Sequence, residues 1–181
     1  EIAGEKAFNW QQAFPKVFEK GGFDVIIGNP PYGAKVSKVD LNFFVEKYKD
    51  SGLNKIFSDT YISFYILGLN SLLKNDGLLG YIAPNTWRLV SNGLEFRKFI
   101  TSDKFSIIKI IQHTEKVFSD ATVDVDTVIV KKQNQIDKTE IVIGELNKNY
   151  FKHKISQSIL YNQEYINLFL TESSYDLKSK I

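Results

Sequence analysis

The sequence predicts an α/β fold with a mixed sheet, parallel strands first and an antiparallel pair last. Three observations carry that expectation. Phe23-Asp24-Val25-Ile26-Ile27-Gly28 is a β-branched apolar run that stops at Asn29-Pro30-Pro31-Tyr32, as a strand buried on both faces and ending in a rigid tip would. A helical repeat and then a second apolar run, 78–83, follow it, so strand, helix and strand alternate as right-handed crossovers require. Two adjacent strand-like runs, 105–112 and 122–131, are then joined by a short connector, which suits an antiparallel pair.

Each element has a local cause. Phe8, Trp10, Phe14 and Phe18 are placed to anchor a short leading segment on the sheet, with a helical turn from Pro15 to Lys20 that Gly21-Gly22 ends. Residues 33–57 are polar and lysine-rich around a short helix near 40–49, and read as an excursion after a functional loop. From Asp59 to Leu73 the apolar positions Tyr61, Phe64, Tyr65, Leu67, Leu69, Leu72 and Leu73 recur at helical spacing, with Ser58 or Asp59 as N-cap and Lys74-Asn75-Asp76-Gly77 as the stop. Pro84-Asn85-Thr86-Trp87-Arg88 is the polar-aromatic exit of the second strand, and a helix is expected from Gly93 to Ile100. Glu140 to Gly144 reads as a fifth strand and 162–170 as a helical stretch.

The tip has its own chemistry. Asn29 precedes a proline and is pushed into extended backbone, while Pro30 and Pro31 each fix φ and remove an N–H. What remains is rich in acceptors: the Asn29 side-chain oxygen and the carbonyls of Asn29 and Pro30, beside the flat ring of Tyr32. Two acceptors and a ring suit a planar NH2 group on an aromatic system, and ligands of open α/β sheets bind at the carboxyl ends of strands. The plainer reading is a proline-rich loop leaving a strand, with Tyr32 packed on the sheet.

From Phe8 to about Lys132 the chain resembles the amino-methyltransferases that use S-adenosylmethionine, in particular the N6-adenine DNA methyltransferases of restriction-modification systems. Asn29-Pro30-Pro31-Tyr32 matches their catalytic motif, and Phe8-Asn9-Trp10, Phe14-Pro15 and Gly21-Gly22-Phe23-Asp24 resemble the lead-in of large single-chain restriction-modification enzymes. The resemblance implies the C-terminal half of a Rossmann-like methyltransferase fold, its last strand inserted in the sheet. Asn29, Pro30, Pro31 and Tyr32 become the catalytic tip. Tyr32 and Phe118, the latter in the connector between the last two strands, become the rings that stack on a flipped base. Asn29 and Phe64 become contacts to the cofactor, S-adenosylmethionine. For Phe118 the alternative is a core ring capping the sheet, and for Phe64 an amphipathic core position. Residues 1–144 are then a partial catalytic domain, and 145–181 a linker and the start of a target-recognition region. The implied partner is double-stranded DNA. The same tip would also serve methylation of a protein glutamine amide, or a non-catalytic DNA-contacting module.

The glycine-rich strand-to-helix turn that holds such a cofactor is missing from these residues, since in the family it lies upstream of the tip. The chain is therefore expected to bind the cofactor weakly or not at all. It also contains no methionine, even at position 1, and is expected to be a piece of something longer. The first strand would then lack its outer neighbour, leaving an edge open to pairing in a dimer.

Composition narrows the rest. In 181 residues, 43% hydrophobic and 14% aromatic, there is enough apolar mass for a folded domain. A net charge of +2 is too small to indicate nucleic acid by bulk electrostatics. Cysteine is absent and only His113 and His153 are present, which excludes disulfides and argues against a metal site. A reducing, bacterial cytoplasmic location fits, with no signal peptide and no apolar run long enough for a membrane. Asp176-Leu177-Lys178 is the one nuclease-like Asp-x-Lys, and no acid stands suitably before it.

Overall fold

Tyr61, Ile62, Tyr65, Ile66 and Leu69 fall on one face of a helix, and that face is sealed against the sheet: all five are at most 2% exposed. Burying side chains of this size stabilises by about 1.5–3 kcal/mol each. The computed structural model describes residues 8–33, 37–48, 59–118, 123–134, 138–145, 148–160, 163–171 and 173–174.

In chain order the elements are α1 (Trp10–Ala13), α2 (Pro15–Phe18), β1 (Phe23–Gly28), α3 (Lys38–Lys47), α4 (Thr60–Ile66), β2 (Leu73–Pro84), α5 (Thr86–Leu89), α6 (Leu94–Ile100), β3 (Ser106–His113), β4 (Val125–Lys131), β5 (Lys138–Glu145), β6 (Lys148–Ser156) and α7 (Gln157–Leu160). A π-helical turn, Leu67–Leu72, carries α4 directly into β2. The strands form one sheet in the order β1-β2-β4-β3-β5-β6. β1 is parallel to β2, and β3 to β5. β4 runs antiparallel between β2 and β3, the inserted last strand that the resemblance implies.

The leading segment docks as its aromatics suggest. Trp10, Phe14 and Phe18 gather on Phe23 at the start of β1, with ring centroids 5.4–6.1 Å from it. Gly21 and Gly22 make the turn with φ of +91° and +126°. A Cβ at Gly22 would lie 2.4 Å from the Leu72 carbonyl oxygen and 2.9 Å from the Lys74 nitrogen, both backbone atoms. Gly22→Ala is therefore expected to cost about 1–3 kcal/mol from the backbone conformation alone. That is a fall of several degrees in the thermal midpoint for a chain of this size, and an unchanged midpoint would refute the close approach.

Three expectations need correction. β1 is not covered on both faces: Ile26 is packed against the core, but Val25 is 55% and Ile27 81% exposed. The apolar run signals a strand and does not say that both of its faces find partners among these residues. Second, 163–170 is not a helix. Its Ile166 and Leu168 are buried two residues apart, and the Glu164 and Ile166 carbonyls accept from the Arg97 and Arg88 side chains instead of from a helical turn. Third, a sixth strand stands where none was expected, because the lysines of β6 mask the alternation of Phe151, His153 and Ile155. β5 and β6 pair antiparallel, with Gly144 opposite Asn149 after a register shift between Ile143 and Gly144.

Candidate active site

The carboxyl end of β1 delivers Asn29 to the rim of a cleft of about 470 Å³. Gly28, Asn29, Pro30 and Pro31 line one side, and Phe64 and Leu67 of the helix line another. Pro30 is buried, which anchors the tip, while Asn29 is exposed. No hydrogen bond ties the Asn29 carboxamide to another described residue. Phe64 is 38% exposed on the side of α4 that leaves the core. The tip and the proposed cofactor ring therefore share one cavity.

The two stacking candidates do not line it. Tyr32 is half-buried and packs partly against the hydrophobic core. Phe118 is half-buried beside a separate small cavity of about 30 Å³, with Val117, Val123 and Val125. Asp24, the carboxylate nearest the tip in sequence, sits at the other end of β1 and is ion-paired with Lys74, whose hydrogen bond and charge hold it below the usual carboxylate range. It is not placed to act as a base at the tip.

Behind the tip, the exit of β2 is fixed by a buried polar network. Arg88 of α5 donates through Nε to Asp126 Oδ2 at 2.5 Å and through Nη2 to Asp126 Oδ1 at 3.3 Å. It also reaches Gln112 of β3 and the Ile166 carbonyl, at 3.3 and 3.2 Å. Burial pushes the Asp126 carboxyl up, against the pull of the Arg88 guanidinium. Arg97 donates to the carbonyls of Trp87, Val90 and Glu164. The Tyr61 and Thr86 hydroxyls lie 3.5 Å apart and link α4 to α5; burial pushes the Tyr61 phenol up to about 12. None of these roles is visible in the sequence, where Arg88 is only the last residue of the polar-aromatic exit of the second strand.

The cleft joins an apolar wall carrying the Phe64 ring to an acceptor-rich tip, a lining that fits a ligand with a flat ring and a polar or charged part, as S-adenosylmethionine has. Among the described residues no group of His, Asp and Glu is placed to hold a metal, and no helix is long and apolar enough to cross a membrane.

A parallel β1–β2 pair, a tip at its carboxyl end and an inserted antiparallel strand define the later half of a Rossmann-like, S-adenosylmethionine-dependent methyltransferase fold. A methyltransferase subunit of a type I restriction-modification system from Streptococcus thermophilus has the same fold, with a TM-score of 0.62 at 18% identity over 82% of this chain and 39% of that one. Residues 1–118 match the Eco57I restriction-modification methylase family, and the chain belongs to it. A Methanocaldococcus jannaschii protein assigned as a type II restriction enzyme and methyltransferase is 34% identical over 128 residues, 71% of this chain and 10% of its own length. A type II restriction enzyme and methyltransferase of Escherichia coli is 33% identical over 117 residues, 62% of this chain and 11% of its own length. The chain thus spans about a tenth of the length of these relatives.

Proposed function

We propose that the chain is the target-facing half of an N6-adenine DNA methyltransferase within a larger restriction-modification enzyme. The observation that carries this is the shared cleft, in which a proline-stiffened Asn29 tip faces Phe64. The N6 nitrogen of adenine is a poor nucleophile because its lone pair is delocalised into the ring. The Asn29 side-chain oxygen and the Pro30 carbonyl accept its two N–H hydrogens, draw it toward tetrahedral geometry and localise the lone pair. S-adenosylmethionine, when bound, supplies a methyl carbon on a positively charged sulfur. With the lone pair so localised, the nitrogen would be ready to take that methyl group, the C–S bond's electron pair staying with sulfur and the nitrogen's extra proton going to solvent. Tyr32, next to the tip in sequence, is the candidate ring for the extruded base, and Phe118, beside a cavity of its own, the candidate second face.

Residues 145–181 lead toward the target-recognition region, and the intact enzyme binds double-stranded DNA. The test is nucleoside analysis of DNA incubated with the intact enzyme and a labelled methyl donor. N6-methyladenine is the expected product; label on a protein glutamine, or on no acceptor, would refute the assignment.

The isolated 181-residue chain is expected to bind S-adenosylmethionine more weakly than micromolar, because the glycine-rich turn is not among its residues. Micromolar binding by calorimetry would contradict this. Its exposed β1 edge is also expected to pair two copies, seen as a concentration-dependent dimer by sedimentation; a monomer at high concentration would count against that.

A further inference from the structure

We propose that Tyr81 is a further ligand-contacting residue of the cleft, its hydroxyl reaching the nucleoside part of the methyl donor through a window framed by Gly28 and Gly68. The inference rests on the methyltransferase reading above. Tyr81 stands opposite Gly28 in the parallel β1–β2 register. A Cβ at Gly28 would come 3.4 Å from Tyr81 Cε1, and one at Gly68 would come 3.3 Å from Tyr81 Oη. Neither glycine has positive φ, so backbone conformation does not demand glycine at either place. Gly68 is also needed for close packing, since its Cβ would lie 2.5 Å from Leu79 Cδ1. At Gly28 only the tyrosine ring lies within 4 Å. What the missing side chain does there is uncover that ring.

The hydroxyl supports the same reading. Tyr65, whose ring lies edge-on at 5.0 Å, has its hydroxyl buried without a partner. The Tyr81 hydroxyl makes no hydrogen bond to a described residue either, yet it is not sealed, and the residue lines the cleft although it is only 6% exposed. A phenol at the wall of a cleft is a donor and acceptor for whatever fills it. Burial raises its pKa, so it remains a protonated donor at neutral pH. Phe64 and Leu67 supply apolar walls beside it, and a flat heterocycle with ring nitrogens or a ribose hydroxyl suits that set.

Calorimetric titration of the intact enzyme with S-adenosylhomocysteine and with adenosine tests this. Tyr81→Phe is expected to weaken both ligands about tenfold, the order of one hydrogen bond, while affinity for DNA and the thermal midpoint stay near wild type. Gly28→Ala keeps the hydroxyl but closes the window, and is expected to weaken both ligands at least as much. Wild-type affinity in Tyr81→Phe would make Tyr81 a core residue and overturn the proposal, with the methyltransferase reading intact. A loss for S-adenosylhomocysteine but not for adenosine would overturn the nucleoside assignment. Failure of the wild-type enzyme to bind either ligand would overturn both readings together.

Discussion

Asp126→Ala is expected to lower stability by about 3–5 kcal/mol, because it leaves an uncompensated buried charge. Asp126 is 0% and Arg88 3% exposed, and two hydrogen bonds join them. Without the carboxylate, the guanidinium keeps only the Gln112 side chain and the Ile166 carbonyl as neutral acceptors. Domains of this kind carry about 5–15 kcal/mol in total, so the variant should be close to unfolding at physiological temperature. The loss should spread to both elements the pair joins: β4, beside the exit of β2, and the segment around Ile166, whose N–H donates to the Arg88 carbonyl. Urea unfolding of single and double variants measures it. Removing both charges, as in Arg88→Met with Asp126→Leu, should cost less than Asp126→Ala alone, since no ion is then stranded. A single variant within about 1 kcal/mol of wild type, the range of an exposed pair, would show that the network is not the brace described here.

Much of the fold was legible because it rests on local patterns. Val25-Ile26-Ile27, the 59–73 periodicity and the paired runs 105–112 and 122–131 each announce one element, and their order selects the topology. The tip was legible because two prolines constrain backbone whatever surrounds them. What could not be read was long-range. The exposure of Ile27 depends on what packs over β1, which no residue in β1 encodes. The sixth strand exists because β5 offers it an edge, and 163–170 is fixed by arginines about 70 residues earlier in sequence. Tyr81 gave one faint signal, a glycine opposite it on the neighbouring strand, which carries meaning only once the register is known. Phe118 shows the reverse: its place in the connector was legible, but the ring lies beside a small cavity of its own.

Asn29→Ala is expected to reduce the methyl-transfer rate by about 10²–10³-fold, the size of effect found when one preorganised hydrogen-bonding group is removed at a site of developing charge. The substitution takes away an acceptor at an exposed position of the tip and leaves Pro30 buried as its anchor, so stability should barely change. The defect belongs to the reacting nitrogen and should fall on the rate of the chemical step. DNA affinity, set mainly by contacts to phosphates and to bases away from the tip, should be close to wild type. Asn29→Asp restores an acceptor and should recover part of the rate.

The most direct test of the tip's role is the single-turnover rate of methyl transfer to duplex DNA by the intact enzyme and its Asn29→Ala variant, both saturated with methyl donor and DNA. The account predicts a rate lower by about two orders of magnitude or more with DNA binding unchanged. A variant that transfers the methyl group at the wild-type rate would contradict it.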